Sequence, residues 1–454
     1  MPGKSGYAVL AALSGVPFIM VLGNSMIIPV LTEIKSALNL SGFETSLIIT
    51  LFSVPAGIII PLAGFLSDRF GRKIIIAPSL VIYGLGGIIA GLGPIILSGS
   101  AYPVLLAGRV LQGIGAAGTA PIAMALCGDL FTGKERSKSL GIIEAANGFG
   151  KVVSPILGAL VGLIAWYATF LFFPAIVIPI VLAMWFLISE PESNRSKQSI
   201  GQYLKSIMKI FEKKSAMLLT SFFAGMTALL LLFGVLFFLS EYLESRYSLR
   251  GVTKGLALAI PVLFMSLTSY TTGALIKKKL TLMKWLVFSG LLLIAASLAV
   301  LGIFNRNTIL FFVGISVAGV GTGLTLPCLN TIITGSCEAQ RRGLVTSLYG
   351  SVRFFGVALG PPLFSVLMDY SRTAMFWGAA GLAGLSALLA LFLIRVKDMK
   401  EPVKAPEGEQ PAPGGIAIKP VTVTVKAPAF VFSPARKPGL ENKKPPERRQ
   451  NTKS

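Results

Sequence analysis

The chain has 454 residues, of which 54% are hydrophobic and only 13% are charged, and its mean hydropathy is +0.77. This composition excludes an ordinary soluble domain, because such domains carry about 25% charged residues. The chain contains no histidine, which excludes histidine catalysis and histidine metal ligands, and its three cysteines stand at no metal-ligand spacing, so we predict no metal site and no cofactor.

Apolar runs of about 20 residues recur along the chain, and this is the length that a helix needs to cross the hydrocarbon core of a bilayer. We therefore predict an all-α integral membrane protein with twelve transmembrane helices. The predicted spans lie at about 7–31, 45–66, 74–92, 103–127, 139–164, 169–188, 216–240, 254–276, 284–304, 308–334, 344–368 and 373–395. The first run is too long for a signal-peptide core, so we interpret it as a retained span.

The net charge of +22 follows the predicted topology. If the N-terminus is cytoplasmic, 32 of the 41 lysines and arginines fall in cytoplasmic segments, six in external loops and three inside spans. This asymmetry is the positive-inside rule. It predicts a multi-pass protein of the plasma (inner) membrane with both termini in the cytoplasm. The net positive charge of the chain therefore reflects its position in a lipid bilayer and does not indicate a nucleic-acid partner.

The predicted spans fall into two halves, and composition separates four segments. Residues 1–189 form the N-terminal six-helix half and residues 216–395 the C-terminal six-helix half. Between them, residues 190–215 form a polar linker with an amphipathic stretch, which predicts a helix on the inner leaflet. Residues 396–454 are rich in proline and lysine, which predicts a disordered basic cytoplasmic tail.

The two halves repeat in sequence. Residues 135–158 align with residues 341–364 at an offset of 206 residues. Glycine and proline positions match across this offset: Gly150 with Gly356, Pro155 with Pro361, Gly113 with Gly319, Gly115 with Gly321 and Pro121 with Pro327. Two related six-helix halves with a substrate path at their interface are a secondary-transporter plan.

The stretch GFLSDRFGRK, residues 64–73, joins spans 2 and 3 by a tight turn. Its glycines allow close packing and positive φ, while its aspartate can accept hydrogen bonds from a neighbouring helix N-terminus. The stretch resembles the G-x-x-x-D-R-x-G-R-R/K signature of the major facilitator superfamily. The resemblance implies a conformational latch made of Gly64, Asp68, Arg69, Gly71, Arg72 and Lys73, with Asp129 and Arg136 as its charged partners.

Two further stretches resemble signatures of the twelve-span drug/proton antiporter branch of this superfamily, the multidrug efflux type. LLAGRVLQGIGAAG (105–118) resembles R-x-x-Q-G-x-G, whose arginine influences proton transfer, and this implies that role for Arg109. GKVVSPILGA (150–159) resembles the antiporter motif of exporters, with small residues replacing two of its glycines. The corresponding positions here are Gly150, Ser154, Pro155 and Gly158.

Span 5 also carries Glu144 and Lys151, and charges inside a membrane indicate function. At 100° per residue the two lie within about 20° on one helical face, and at 1.5 Å per residue they are about 10.5 Å apart, too far for a salt bridge. Glu144 is the one carboxylate well inside a span and away from the latch loops. Both residues are therefore either coupling and substrate contacts or static members of a polar network, and Asn24 and Arg353 are further cavity candidates.

These features predict a monomeric secondary active transporter, not an enzyme. It would export small amphipathic compounds by proton antiport through alternating access, with Glu144 as the proton carrier and with Arg109 and Lys151 modulating it. The alternative is a dedicated exporter of one anionic metabolite, of the siderophore, sugar or lipid type. The three cations deep in the predicted spans, Arg109, Lys151 and Arg353, favour this alternative. A polytopic membrane enzyme would need a nucleophile–base pair or clustered acids at one membrane face.

Overall fold

The computed structural model describes residues 4–131, 133–190, 200–276, 279–304, 307–336 and 342–395. This described part is all-α and contains no strand. Its fourteen α-helices are α1 (Lys4–Ser25), α2 (Leu31–Ala37), α3 (Gly42–Phe70), α4 (Arg72–Ile96), α5 (Ala101–Ala117), α6 (Ala120–Leu130), α7 (Gly133–Gly162), α8 (Ala168–Leu187), α9 (Ile200–Tyr247), α10 (Gly251–Ile276), α11 (Leu280–Phe304), α12 (Thr308–Gly335), α13 (Arg342–Tyr370) and α14 (Arg372–Leu393). The predicted tail, 396–454, lies outside the described residues.

Eleven helical stretches of the described chain are long and apolar enough to cross a membrane. Helices α1 and α2 together make one of them, and α5 with α6 make another. The predicted fifth span corresponds to α7, which has 30 residues but is not among the eleven. Its charged and polar residues lower its mean hydropathy, so α7 is long enough to span while being more polar than the other spans.

The helix boundaries follow local sequence signals. Ser41 and Glu44 form a capping box at the start of α3, with Ser41 Oγ accepting from the Glu44 N–H and Glu44 accepting from the Ser41 N–H. Gly71 alone separates α3 from α4 and has φ 115°, a conformation that favours glycine. The predicted linker overlaps α9, which bends at Lys214 (φ −135°, ψ 27°) where its first part meets the apolar span.

Two antiparallel helix pairs join the halves. In the first, α3 packs along α13: Thr50 Oγ1 donates to the Ala358 carbonyl at 2.7 Å, and Ser351 Oγ donates to the Gly57 carbonyl. In the second, α7 packs against α10. We refer to the end of the bundle that carries residues 64–73 as the motif end, and to the other as the opposite end.

The second pair packs closely near the opposite end. A Cβ built on Gly255 of α10 would lie 2.6 Å from the Ala159 side chain and 2.7 Å from the Pro155 carbonyl of α7. Toward the motif end, a Cβ on Gly148 of α7 or on Gly273 of α10 would meet no atom within 4 Å among the described residues. The close packing of α7 on α10 is therefore not continued at these two glycines.

The sequence repeat appears in the packing of its glycines. Gly113 of α5 faces the Phe52 carbonyl of α3, and its repeat partner Gly319 of α12 faces the Pro261 carbonyl of α10. In both halves the missing side chain lets one helix touch the backbone of its neighbour, as in close transmembrane helix pairs. The two halves thus share one internal packing scheme.

Candidate functional site: a central cationic path

Two half-buried cations lie at mid-height on opposite halves, Lys151 on α7 and Arg353 on α13. The charges that act on Lys151 are those of Glu144 and Arg353. Within the described residues, neither cation makes an ion pair with a carboxylate. Nε of Arg353 is buried without a hydrogen-bond partner in the same part of the chain. The two halves therefore place unneutralised positive charge on either side of their interface.

An aromatic ring borders one of these cations. The guanidinium of Arg353 lies 5.4 Å from the centre of the Tyr349 ring, one turn earlier on α13. Tyr349 packs against Phe222 of α9 at 5.6 Å, and its hydroxyl is buried without a partner among the described residues. Cations beside rings suit an anionic ligand with an apolar body.

Glu144 lies toward the motif end of α7 and is exposed. It shares its helix face with Gly148 and Lys151, and it acts electrostatically on Lys151 without forming an ion pair to it among the described residues. A Cβ built on Gly148 would meet no atom within 4 Å among the described residues, so no neighbouring helix covers this face of α7 at that level. Glu144 and Lys151 therefore lie on one partly uncovered face of α7.

Arg109 is fully buried inside the N-terminal half. Its Nε donates to the Ile48 carbonyl at 2.9 Å, its Nη1 donates to Gln112 Oε1 at 2.8 Å, and its guanidinium lies 4.4 Å from the centre of the Phe52 ring. Its Nη2 has no hydrogen-bond partner in the described chain. Arg109 is thus a buried cation held by a carbonyl, an amide and an aromatic face.

Asn24 belongs to the same side of the N-terminal half as Arg109. It is 7% exposed, and its Oδ1 accepts from Ser53 Oγ of α3 at 3.4 Å. Ser53 follows Phe52, whose ring lies under the Arg109 guanidinium. Asn24 and Arg109 are therefore connected through α3, whereas Lys151, Glu144 and Arg353 line the interface between the halves.

At the motif end, Arg72 connects two spans. Its guanidinium pairs with Asp68 of α3 at 3.4 Å and with Asp129 of α6, and its Nη1 donates to the Ala125 carbonyl at 3.1 Å. Asp68 also approaches the first turn of α13: its Oδ2 would be 3.8 Å from a Cβ built on Gly343. The carboxylate of Asp68 therefore stands between its own half and a helix N-terminus of the other half.

The remaining motif residues have distinct positions. Arg69 is exposed beside Phe70, and the Arg136 guanidinium approaches Gly128 of α6. Gly64 packs against Ser347 of α13, where a Cβ would come 2.7 Å from the hydroxyl oxygen. Lys73 turns toward the end of α8, donating to the carbonyls of Trp185 at 2.6 Å and Ile188 at 2.7 Å.

Sequence reasoning missed Glu190, which anchors this loop. Its Oε1 accepts from the Arg72 N–H at 2.6 Å and its Oε2 accepts from the Lys73 N–H at 2.8 Å. The carboxylate thereby satisfies the free N–H groups at the start of α4. Glu190 lies in what reads as a polar linker, and nothing in the sequence pairs it with a loop 118 residues earlier.

The antiporter-type residues of α7 pack against α1 and the following short turn. Gly150 contacts Phe18, and Gly158 contacts the Met26 carbonyl. Ser154 and Pro155 are buried, and Ser154 Oγ has no partner within the described residues. These small residues let α7 lie directly against α1 while Lys151 stays at the interface between halves.

A helical bundle of two related halves, with cations of both halves at their interface, is the plan of a polytopic membrane transporter. The family model of the Major Facilitator Superfamily matches residues 13–304 and 255–439. The chain therefore belongs to the Major Facilitator Superfamily and is a transporter, not an enzyme. The resemblance seen in residues 64–73 is confirmed, and so is the all-α membrane fold.

Several relatives extend this picture. The chain is 44% identical to the bacillibactin exporter of Bacillus subtilis (strain 168) over 394 residues, 86% of this chain and 98% of that protein. It is 27% identical to the multidrug efflux protein YfmO of the same organism over 374 residues, 82% of this chain and 90% of that protein. The crystal structure of a bacterial homologue of the human lysosomal transporter Spinster, inward-facing and unoccupied, matches with a TM-score of 0.72 at 17% identity, covering 89% of this chain and 100% of that one. That last likeness concerns the fold alone.

Proposed function

We propose that this chain exports one anionic metabolite of the siderophore type. The observation that carries this proposal is its 44% identity to a bacillibactin exporter over nearly the whole of that protein. The position of Lys151 and Arg353 supports it, because cations inside a membrane are costly and suit an anionic ligand. Multidrug efflux is the second candidate, supported by 27% identity to YfmO.

The transport cycle in this proposal is alternating access driven by proton antiport. The positive-inside pattern supports an orientation in the plasma (inner) membrane with the motif end and both termini in the cytoplasm. Residues 1–189 and 216–395 rock against each other, the linker 190–215 lies on the inner leaflet, and one copy of the chain forms a complete path. In this proposal substrate enters from the cytoplasm between α7 and α10, where Gly148 and Gly273 have no neighbouring atom within 4 Å in the described chain.

Glu144 carries the proton in this proposal, and Lys151 and Arg109 modulate it. Glu144 lies on the partly uncovered face of α7 and is exposed in this conformation. When the halves close over that face, the carboxylate loses water and its charged form becomes less favourable. Proton binding and release can in this way follow the rocking of the halves.

The test uses inside-out membrane vesicles that contain the full chain, with bacillibactin as the probe. With an acidic vesicle interior, we expect bacillibactin to accumulate inside, and a protonophore or an empty-vector membrane to abolish the accumulation. A parallel arm measures ethidium. Ethidium uptake without bacillibactin uptake would replace the proposal by multidrug efflux, and uptake of neither would overturn both.

A further inference from the structure

A polar cluster closes the opposite end of the bundle between the two halves. We call it the outer cluster, and its members are Thr32, Glu33 and Lys35 of α2, Glu241 and Glu244 of α9, and Lys254 of α10. The first three belong to the N-terminal half and the last three to the C-terminal half. Sequence analysis assigned no role to the carboxylates and the lysine on the C-terminal side.

Glu244 and Lys254 are joined to the other half through one hydroxyl group. Lys254 Nζ donates to Glu244 Oε2 at 2.9 Å and to Thr32 Oγ1 at 2.5 Å. Thr32 Oγ1 in turn donates to Glu244 Oε2. The hydroxyl of one half thus accepts from the ammonium and donates to the carboxyl group of the other half, and the neighbouring ammonium favours the ionised form of Glu244.

The two charges differ in their access to water. Lys254 has 1% of its side chain exposed, whereas Glu244 has 18% exposed. A buried ammonium is stable only while a counter-charge stays beside it. Glu244 is the carboxylate within hydrogen-bond distance of Lys254 in the described chain, and it keeps a route to the solution at this end.

Other charges around Glu244 come from each neighbouring element. They are Glu33 and Lys35 from α2, Glu241 and Arg246 from α9 itself, Arg250 from the following turn, and Lys254 from α10; Arg372 of α14 lies over the Tyr242 ring of α9 at 5.8 Å. Lys35 pairs with Glu241 at 2.5 Å, and Arg250, 76% exposed, lies 3.4 Å from Glu244. Glu33 acts electrostatically on Lys254 but forms no ion pair with it among the described residues. The pair Lys35–Glu241 is a second contact between the halves that does not include Glu244.

We propose that Glu244 is a proton-binding site facing the external solution, and that one proton bound to its carboxylate opens the outer cluster. The inference rests on the orientation given under the proposed function, but not on which compound is carried. It assigns to this end of the molecule a proton site distinct from Glu144, in the other half of the chain and at the other end of the path.

The step is a single proton transfer. A proton from the external solution binds an oxygen of the Glu244 carboxylate, and the resulting neutral acid no longer accepts an ionic hydrogen bond from Lys254. The ammonium then lacks a counter-charge within hydrogen-bond distance in a buried position, which is unfavourable. Separation of α2 from α9 and α10 admits water to Lys254 and relieves this cost, so protonation favours the state that is open outward.

The test measures the distance between spin labels on the two halves of the full chain in lipid nanodiscs without substrate. Ala37→Cys and Thr253→Cys place one label on α2 and one on α10, both at exposed positions, in a background without native cysteines. We expect the long-distance population to grow as the pH falls from about 8 to about 5. With one linked proton, the open-to-closed ratio changes by up to about tenfold per pH unit.

Glu244→Gln mimics the protonated acid. We expect this variant to show the long-distance population at every pH, without the titration. Glu241→Gln is the matched control: it removes the ion pair to Lys35, so it weakens closure but keeps the pH dependence. Glu244→Asp keeps an ionisable group and retains a titration even if Glu244→Gln folds poorly.

Three results would overturn the proposal: a wild-type distance that does not respond to pH, an unchanged titration in Glu244→Gln, or loss of the titration in Glu33→Gln while Glu244→Gln keeps it. Because no substrate is present, these results are independent of bacillibactin uptake into vesicles. A pH-responsive outer cluster with no bacillibactin transport would leave this inference standing and remove the proposed function.

Discussion

Lys151 on α7 and Arg353 on α13 face the same interface from opposite halves, and their like charges act on each other. Neither has a carboxylate partner within the described residues. Two cations that repel each other in a membrane are costly unless a ligand or water compensates them. An anion bound between them would offset this cost and draw the halves together, so in the proposed cycle the pair would link substrate binding to the movement of the halves.

Arg353→Gln tests this relationship. The substitution keeps hydrogen-bonding ability but removes the charge, and a hydrogen bond to a charged group contributes about 1.5–3 kcal/mol. We therefore expect the KM for bacillibactin uptake into vesicles to rise at least about tenfold. Arg246→Gln, at an exposed position at the opposite end of α9, is the control and should keep the wild-type KM. An unchanged KM in Arg353→Gln would mean that this cation does not contact the substrate.

Arg109→Met separates transport from stability. Arg109 is fully buried with no carboxylate beside it in the described chain. Burying its charged guanidinium loses more hydration free energy than burying a methionine side chain of similar length would. We expect the purified variant to be as stable as the wild type or more stable, by about 1 kcal/mol, while vesicle uptake is lost. Thermal unfolding in detergent checks the first expectation.

Leu105→Ala, one turn earlier on α5 and also fully buried, shows that the unfolding assay responds to the core. It should destabilise the protein by about 2–5 kcal/mol. If Arg109→Met instead loses a similar amount, the arginine serves the packing of the N-terminal half.

The features that sequence predicted well are those encoded by neighbouring residues. Apolar lengths, the turn at Gly71 and the glycine repeat are local patterns, so the amino-acid order alone is enough to place eleven of the twelve predicted spans and the tight loop between α3 and α4. The repeat also paired Gly113 with Gly319, and in the structure both are points of close helix contact. Among the predicted spans, α7 departs from the apolar rule, because the polar residues that line the path reduce its hydropathy.

The contacts that sequence could not supply join distant parts of the chain. Thr32 and Lys254 are 222 residues apart and come from different halves, and Arg72 and Glu190 are 118 residues apart. Helical periodicity shows on which face of its helix a residue lies, but it does not show which other helix packs against that face. For this reason the sequence does not show that Glu33 of the N-terminal half acts electrostatically on Lys254 of the C-terminal half, as the structure does.

Gly319→Ala tests the shared packing of the two halves. A methyl group there would collide with the Pro261 carbonyl, a backbone atom that cannot rotate away. We expect a loss of about 1–3 kcal/mol in unfolding free energy, and a similar loss for Gly113→Ala. Gly378→Ala on α14, which meets no atom within 4 Å among the described residues, should be neutral or stabilising by about 0.5–1 kcal/mol. Equal effects at all three positions would argue against backbone contact as the reason for the repeat.

Glu190→Gln tests the anchor of the motif loop. The carboxylate accepts from two backbone N–H groups at the start of α4, at 2.6 and 2.8 Å, and it lies where the helix dipole favours negative charge. The amide can accept at one oxygen only, so we expect a loss of about 1–2 kcal/mol in unfolding free energy.

Asp369→Asn, at an exposed position near the end of α13, removes a carboxylate without such bonds and should change stability by less than about 0.5 kcal/mol. The bonds to Glu190 hold the backbone of Arg72 and Lys73 at the start of α4. Trypsin should therefore cleave Glu190→Gln faster than the wild type in this loop. Wild-type stability together with wild-type cleavage in Glu190→Gln would show that Arg72 holds the loop through Asp68 and Asp129 alone.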